Sequence, residues 1–441
     1  MKKMCLILIV GMMLTGNLHA QADPLHKELI RLALDNNRNI QKAELDITSS
    51  ELQMKQVRSY RLPQLSAGIE SKYYIERPTI ILPGETFGSP VDIKTQLGKP
   101  INADGSIRAS QLLLNKSLWY DLKTVEKSSD LYKLMKIKTE EDVIYQVSLA
   151  YYYYLSTLEG LKIIRENTSL LLKNKQIATR LIENDMALPT DTNRIDLKIN
   201  ELKKQENLLN VSLLEQQNGI RMLIDDGDFQ FPEPEEEAGY NQEILPAEWN
   251  TSVNRTDIQI LEKQLTIQDL QIEKAKAAYR PTTSLYASYG INVQQDHLKD
   301  MFLPENWNQI LLLGFQTSIP IYSGGRNKAK IQQTRVNYMT AETNLAQAKL
   351  NAAQEKNETY NKYLTLQQNR DIQLKNITLS SEIYKVSLLK YEEGLLPLTD
   401  LLTASTDMSN AKLNHTRSSL ELYMGALDVL KSNGMLNTLN H

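Results

Sequence analysis

An internal duplication constrains the fold of this chain more than any other feature. Leu188-Pro189-Thr190-Asp191 returns as Leu396-Pro397 and, after one extra leucine, Thr399-Asp400. The Leu-Pro pairs are 208 positions apart, and at the same spacing Leu114-Asn115-Lys116 is matched by Tyr322-Ser323-Gly324. A period of this size indicates two copies of one long supersecondary unit and not a short solenoid repeat. The functional object therefore uses both copies.

The first 22 residues predict a secretory signal peptide. Lys2 and Lys3 precede an apolar run, and Ala20-Gln21-Ala22 supplies the small residues for cleavage after Ala20 or Ala22. The apolar run is shorter than the roughly 20 residues that a membrane-spanning helix needs. The sole cysteine, Cys5, lies in this segment and lacks the small-residue context of a lipoprotein site. The mature chain is therefore expected to form no disulfide and to use no thiol chemistry.

Charge and composition exclude some partners and suggest thin apolar surfaces. The chain has 50 Lys and Arg against 53 Asp and Glu, a net charge of −3, which argues against nucleic-acid binding. It has only 5 Phe but 21 Tyr, and its mean hydropathy is −0.40. No mature segment is apolar for long enough to predict a membrane helix. If the chain crosses a membrane, it must do so as strands.

Each copy begins with a helix and a β-hairpin. In the first copy we predict a helix over 24–60, which stops before Pro63 because proline disfavours helix continuation. Alternating apolar and polar residues then predict strands over 65–73 and 107–114, separated by a loop over 76–105. The second copy predicts a helix over 256–279 and strands over 284–293 and 310–322. Strict alternation suits a strand between lipid and a polar lumen.

A long helical hairpin follows each β-hairpin. Residues 116–185 contain almost no helix breaker, and at about 1.5 Å per residue they would extend roughly 100 Å. The near-heptad spacing typical of a coiled-coil seam is shown by Val143, Val147, Ala150, Tyr154, Leu158 and Leu161. The chain turns at Leu188-Pro189 and returns to about 224. In the second copy the corresponding helices are predicted over 326–393 and to about 431.

These elements predict the domain organisation and the fold class. We divide the chain into a signal peptide (1–22), a first repeat (23–227), a linker (228–250), a second repeat (251–432) and a C-terminal tail (433–441). Four strands cannot close a barrel, and open edges in hydrocarbon would cost several kcal/mol per unpaired backbone group. Three chains would supply twelve strands. We therefore predict a mainly α protein with a trimeric twelve-stranded membrane β-barrel and a coiled-coil tunnel of long helical hairpins.

Several junction motifs resemble one known family. They are Arg61-Leu62-Pro63, Tyr279-Arg280-Pro281, Ile319 to Gly325, and the segment from Tyr391 to Thr406 followed by Asn410-Ala411-Lys412. Together with the signal peptide and the duplication, they resemble the TolC family of outer-membrane efflux proteins over essentially the whole mature chain. The resemblance implies a homotrimeric outer-membrane channel-tunnel that extends into the periplasm and docks with a periplasmic adaptor and an inner-membrane pump.

The resemblance also implies roles for particular residues at the hairpin tips. Asp400 corresponds to an aspartate that forms a ring across the pore, and Thr403 replaces a second pore aspartate one helical turn on. Tyr391 and Asp191 match a tyrosine–aspartate pair that holds the tunnel closed. Leu396 replaces an arginine that locks the neighbouring chain, so closure is expected to depend more on packing. The tip residues expected to contact the adaptor are Leu188, Pro189, Gly394, Leu396 and Pro397.

Plainer interpretations of the same residues stay open. An aspartate after threonine near a helix start is commonly a cap or a partner of the helix dipole, which fits Asp191 and Asp400. Tyr391 also fits a packing position in the helical seam. A periplasmic coiled-coil structural or adaptor protein without a channel is the alternative function. It explains the long helices but not the four alternating strands.

An enzyme finds little support in the sequence. The mature histidines are scattered, at His26, His297, His415 and His441, and no metal-ligand spacing or nucleophile motif stands out. We therefore predict no catalytic residue, no cofactor and no metal site, and we expect the many carboxylates to lie on solvated helix faces. The sequence leaves the transported substrate open, and with it the pump class: multidrug, metal-ion or type I secretion.

Overall fold

The computed structural model describes residues 23–88, 90–232 and 255–440. The signal peptide and most of the predicted linker lie outside the described residues. The chain divides into two compact units. The tip unit combines the described residues within Met1–Glu44, Leu134–Gln259 and Ala346–His441, and the sheet unit combines those within Leu45–Lys133 and Ile260–Leu345. The division into repeats around the linker stays a prediction.

Seven α-helices account for most of the described residues, and their order repeats as predicted. The helices are α1 (Pro24–Asn36), α2 (Arg38–Ser59), α3 (Lys116–Glu183), α4 (Thr190–Leu223), α5 (Thr256–Ala277), α6 (Arg326–Glu392) and α7 (Leu398–Ser432). The two longest, α3 and α6, contain 68 and 67 residues without interruption. This confirms the two long helical hairpins, α3–α4 and α6–α7. Among the described helices, none is both long and apolar enough to cross a bilayer.

The single helix predicted over 24–60 is wrong in one respect, because the chain breaks at Asn37. Asn37 takes an extended conformation between α1 and α2. Its side-chain amide donates to the carbonyl oxygen of Leu223 at 2.7 Å, and its side-chain oxygen accepts from the backbone amide of Asn39 at 2.9 Å. The Asn37 side chain therefore stabilises the start of α2 and also binds the end of α4.

Four strands form one antiparallel sheet in the order β1-β4-β5-β6. These strands are β1 (Gln64–Tyr73), β4 (Ile101–Leu114), β5 (Thr282–Gln295) and β6 (Asn308–Ser318). The first repeat supplies β1 and β4, the second supplies β5 and β6, and the β4–β5 pairing joins them. The sheet confirms the four predicted strands. However, β6 ends before Pro320 and not at Tyr322, because proline lacks the amide that a ladder needs.

The loop predicted over 76–105 contains further structure. Two short strands, β2 (Thr79–Leu82) and β3 (Ile93–Gln96), pair as a separate antiparallel ribbon, and a 3-10 helix (Gly84–Phe87) lies between them. The end of this segment, 101–105, belongs to β4, which begins at Ile101. The prediction missed the ribbon because each strand has only four residues, too few for alternation to show.

The register of the sheet separates an apolar face from a polar face. Ile107 pairs with Ala67 of β1 and with Tyr289 of β5, and Tyr289 pairs in turn with Leu311 of β6. The next positions along the strands pair Arg108 with Ser66 and Ser288. Since side chains alternate between faces, one face presents a continuous apolar band. The other face is polar around Arg108, although Ser288 pairs there with Leu312 of β6.

Two buried clusters hold the tip unit together. One lies where α1, α3, α4 and α7 meet, and it includes residues of the C-terminal 3-10 helix (Leu436–Asn440). The other, which we call the tip cluster, lies between the two helical hairpins near their turns. Its buried members are Ile164, Leu171, Ala178, Leu181, Ile195, Ile199, Leu202, Tyr384, Tyr391, Leu398, Leu401, Leu402, Ala404 and Met408. Of the candidate gate residues, Tyr391 belongs to the tip cluster, and Asp400 and Thr403 are exposed beside its members Leu401 and Leu402.

Candidate functional site at the hairpin tips

Both helical hairpins end in the same hydrogen-bonded turn. In the first, the Met186 amide donates to the Leu181 carbonyl at 2.8 Å and the Asp185 amide to the Ile182 carbonyl at 3.0 Å. In the second, the corresponding bonds run from Leu395 to Lys390 at 2.8 Å and from Gly394 to Tyr391 at 3.0 Å. This pair of bonds is the Schellman motif, which requires a left-handed residue at its centre.

Aspartate and glycine fill the left-handed position in the two turns. Asp185 has a φ of 63° and Gly394 a φ of 73°. A Cβ atom on Gly394 would lie 2.7 Å from Cε of Met186, so the second turn packs directly on the first. Glycine at 394 therefore suits the left-handed backbone conformation, and a larger residue there would displace the flexible end of the Met186 side chain.

The two tip aspartates differ in what they bind. One carboxylate oxygen of Asp191 accepts from the backbone amide of Leu188 at 3.3 Å, which closes the turn into α4. Asp400, also in the first turn of its helix, caps no described backbone amide and accepts only from the Thr399 hydroxyl at 3.3 Å. Its side chain is exposed and forms no ion pair with any described residue. Of the two aspartates, Asp400 is the one left available for an external ligand.

Tyr391 is buried in the tip cluster close to Asp191. Only 3% of its surface is exposed, and its hydroxyl has no hydrogen-bond partner among the described residues. Burial together with the negative charge of Asp191 raises the pKa of Tyr391 to about 12. The structure therefore brings these two residues near each other without a hydrogen bond within one chain.

One face of α7 carries the exposed polar residues near the tip. Thr403 is exposed, and its hydroxyl donates to the carbonyl of Thr399 at 2.9 Å. Asp400, Thr403 and Asp407 lie at helical spacings of three and four residues, and all three are exposed. The flanking Leu401, Leu402 and Ala404 are buried. Sequence reasoning did not single out Asp407, although its spacing from Asp400 was a readable signal.

The outermost residues of both turns are apolar and exposed. The exposed fraction is 57% for Met186, 67% for Leu188 and 72% for Leu395. Leu396 is instead partly buried against the tip cluster, and Pro189 and Pro397 stand immediately before α4 and α7. Of these, Met186 and Leu395 were absent from the predicted contact set. The turns thus present a small apolar surface.

Polar contacts fix α7 against α3. The ammonium of Lys412, in the predicted Asn-Ala-Lys motif, binds the carboxylate of Glu166 at 2.8 Å. Deeper in the interface the hydroxyl of Ser405 contacts the side-chain oxygen of Asn167 at 3.2 Å. These contacts hold the exposed face of α7 in a defined orientation relative to the first hairpin.

No metal-binding cluster of histidine, cysteine or carboxylate side chains occurs among the described residues. His26 is buried, stacks on Tyr151 with ring centroids 4.9 Å apart and pairs with the Ser148 hydroxyl at 2.8 Å. Because burial disfavours the charged imidazolium, the pKa of His26 is lowered to about 4. This histidine belongs to the packing of α1 on α3.

Sequence and structural comparisons point to one family. Residues 250–423 match the family described as "Outer membrane efflux protein". The outer membrane protein TolC of Escherichia coli (strain K12) is 22% identical over 466 aligned positions, which cover 99% of this chain and 87% of TolC. The probable outer membrane lipoprotein SilC of Salmonella typhimurium is 25% identical over 74% of this chain and 68% of its own length. In these matches the chain is similar to the TolC family of outer-membrane efflux proteins.

The fold of the chain agrees with this similarity. A solved structure of CusC, whose description refers to folding and transmembrane channel formation, superposes with a TM-score of 0.77. The match covers 94% of this chain and 92% of CusC at 16% identity. The protein is an outer-membrane export channel and not an enzyme, which confirms the predicted location and class.

Proposed function

We propose that three copies of this chain assemble into one channel whose helical hairpin tips form a periplasmic gate. The observation that carries this proposal is the sheet. Its outer strands, β1 and β6, each pair on one side only among the described residues, while its faces divide into apolar and polar. Unpaired strand edges are unstable in hydrocarbon, and β1 of one copy pairing with β6 of the next removes them. Three copies give twelve strands.

In this assembly the gate is a ring of Asp400 carboxylates. The exposed, uncapped side chain of Asp400 supports this role, and the buried Leu401 behind it keeps the helix face in place. Three like charges around a narrow pore concentrate negative potential and attract cations. Thr403 extends the polar lining, and Tyr391 with Asp191 stabilises the packed tips that surround the ring.

The apolar surface of the tips is the docking site for a periplasmic adaptor. Leu188 and Leu395 are exposed in adjacent turns, and Leu396 and Pro397 shape the second turn beneath them. An exposed apolar surface of this kind is a typical mark of a protein contact site. The adaptor in turn would connect the channel to an inner-membrane pump.

Two neighbouring substitutions test the assembly. Ala287→Glu places a charge on the apolar face, and Ser288→Glu places the same charge at the same depth on the polar face, opposite Arg108. We expect Ala287→Glu to abolish most of the oligomer that resists unheated detergent gels, because a lipid-facing carboxylate is costly. Ser288→Glu should retain a wild-type yield.

Light scattering of the purified wild type in detergent should give the mass of three chains. A monomer or dimer, or equal oligomer yields from the two variants, would contradict the trimeric barrel.

A further inference from the structure

A basic groove with an exposed tryptophan lies where the sheet gives way to helix. Trp119, one turn into α3, is 41% exposed and lines two adjoining cavities of about 550 Å³ and 220 Å³. Four cationic side chains line the same cavities, from the end of α2 and the start of α3: Arg58, Arg61, Lys116 and Lys123. Every one of these residues belongs to the sheet unit.

The cations of the groove lack partners of opposite charge. None of the four forms an ion pair with a described residue, whereas neighbouring Lys127 and Lys274 pair with Asp130 and Asp121. The one carboxylate that lines the groove is that of Glu126. Four cations against one anion leave a net positive site, and like charges held close together are unfavourable without a counterion.

Two of the four cations contact the ring of Trp119. The ammonium of Lys123 lies 3.8 Å and that of Lys116 4.0 Å from its ring centroid. Cation–π contacts of this kind fix both ammonium groups while leaving their other sides open to a ligand. The start of α3 adds the positive end of a helix dipole, although Asn115 already accepts from the Leu118 amide at 3.0 Å.

The walls of the groove are apolar, which separates it from an ordinary basic surface. Leu62, Leu113 and Leu114 line it and are exposed by 60%, 56% and 54%. Leu113 lies at an irregularity near the end of β4, between Leu112 and Leu114, where the regular pairing with β5 is interrupted. Tryptophan is enriched at the boundary between hydrocarbon and headgroups, and clusters of Lys and Arg attract anionic headgroups.

We propose that this groove binds the phosphate of an anionic phospholipid in the leaflet at the helix-proximal end of the sheet. The leucines contact the upper acyl chain, Trp119 lies at the glycerol level, and the two arginines and two lysines surround the phosphate. This proposal rests on the sheet lying in the membrane, as in the proposed barrel, but not on the proposed gate, because the groove is separate from the hairpin tips.

Tryptophan fluorescence provides a direct test. Trp249→Phe/Trp307→Phe leaves Trp119 as the only tryptophan of the purified channel. Phosphatidylglycerol with brominated acyl chains should quench Trp119 at about tenfold lower concentration than brominated phosphatidylcholine, given the weight of each cation near an anionic headgroup. Adding Lys116→Gln and Lys123→Gln should reduce this preference to less than about twofold.

Lys133→Gln is the matched control, because Lys133 lies farther along α3 and outside the groove. It should keep the preference, and every variant should form the wild-type oligomer on unheated gels. Equal quenching by the two lipids, or no quenching by either, overturns the proposal. If inorganic phosphate, but not chloride at equal ionic strength, changes the Trp119 emission in lipid-free detergent while the two brominated lipids quench equally, the groove binds free phosphate and the lipid assignment is wrong.

Discussion

The first helical hairpin turns at Asp185 and the second at Gly394, and the two turns have the same backbone hydrogen bonds. They differ in the aspartate that follows. In the first tip Asp191 accepts a backbone amide of its own turn, whereas in the second Asp400 caps no described amide. The extra leucine of the second copy, Leu398, is buried in the tip cluster. Both copies thus have the same turn, but only in the first copy does the aspartate carboxylate bond to that turn.

The largest expected effect concerns the left-handed position. Gly394→Asp makes the second turn resemble the first, but it displaces the end of the Met186 side chain and replaces glycine at a φ of 73°, where aspartate is tolerated, as at Asp185, but less favourable than glycine. We expect it to lower the free energy of local unfolding by about 1–2 kcal/mol. Hydrogen exchange of the amides in the second turn would show faster opening. Asp185→Gly is the reciprocal control, and opening of the first turn at the same accelerated rate would contradict the comparison.

The next prediction tests the different roles of the two aspartates. Asp400→Asn should raise the concentration of divalent cation that half-blocks conductance in planar bilayers by about tenfold, because three pore charges are lost. Asp191→Asn should leave the block within about twofold of wild type, since its carboxylate faces its own turn. Equal effects would place the cation site outside the proposed ring.

For tip stability we expect the opposite ranking of the same two aspartates, with the larger effect at Asp191. Asp191→Ala removes the acceptor for the Leu188 amide and should destabilise the first tip by about 1 kcal/mol, the usual net contribution of one hydrogen bond. Asp400→Ala should cost less than about 0.5 kcal/mol, as for an exposed residue without structural contacts. Limited proteolysis at the tips, compared with the rate of wild type, measures both. A larger loss for Asp400→Ala would contradict the assignment of the cap to Asp191.

The smallest effect is expected at Tyr391 and depends on pH. Since the pKa of its hydroxyl rises to about 12 on folding, the folded tip retains the proton longer than the unfolded chain. Its contribution to stability is therefore complete below the ordinary tyrosine pKa and declines as pH rises towards 12. Tyr391→Phe should match wild type near neutral pH and resist alkaline loss of tip protection, measured by proteolysis across a pH series. A strong loss at neutral pH would show that the hydroxyl binds a neighbouring chain.

Local sequence signals sufficed for most of the fold but not for its tertiary exceptions. The strands and long helices could be read because alternation and helix breakers act within a few residues. The break at Asn37 could not be predicted, because the hydrogen bond from the Asn37 side chain that accompanies it reaches the carbonyl of Leu223, far along the chain. The strands β2 and β3 are too short for an alternating sequence pattern to distinguish them from a loop.

The candidate site was predictable in location more than in contacts. The repeated Leu-Pro and Thr-Asp motifs identified the two turns, and the turn at Asp185 takes the same form as that at Gly394. Which of the two aspartates bonds to its own turn depends on side-chain geometry, and the residues around Asp191 and Asp400 permit that bond at either position. The exposure of Met186 and Leu395 likewise follows from how the two hairpins pack. The pore and docking roles themselves remain predictions.

The order of strands in the sheet has a consequence for how the molecule is made. The central pairing of β4 with β5 joins Ile101 to Gln295, residues that are far apart in the chain, whereas β1–β4 and β5–β6 are local hairpins. Contacts between distant segments form slowly because a long loop must close first. The edge of β4 that pairs with β5 therefore stays unpaired until the second repeat has been synthesised and exported. During that interval the exposed edge is open to aggregation, and a periplasmic chaperone that covers it would raise the yield of the channel.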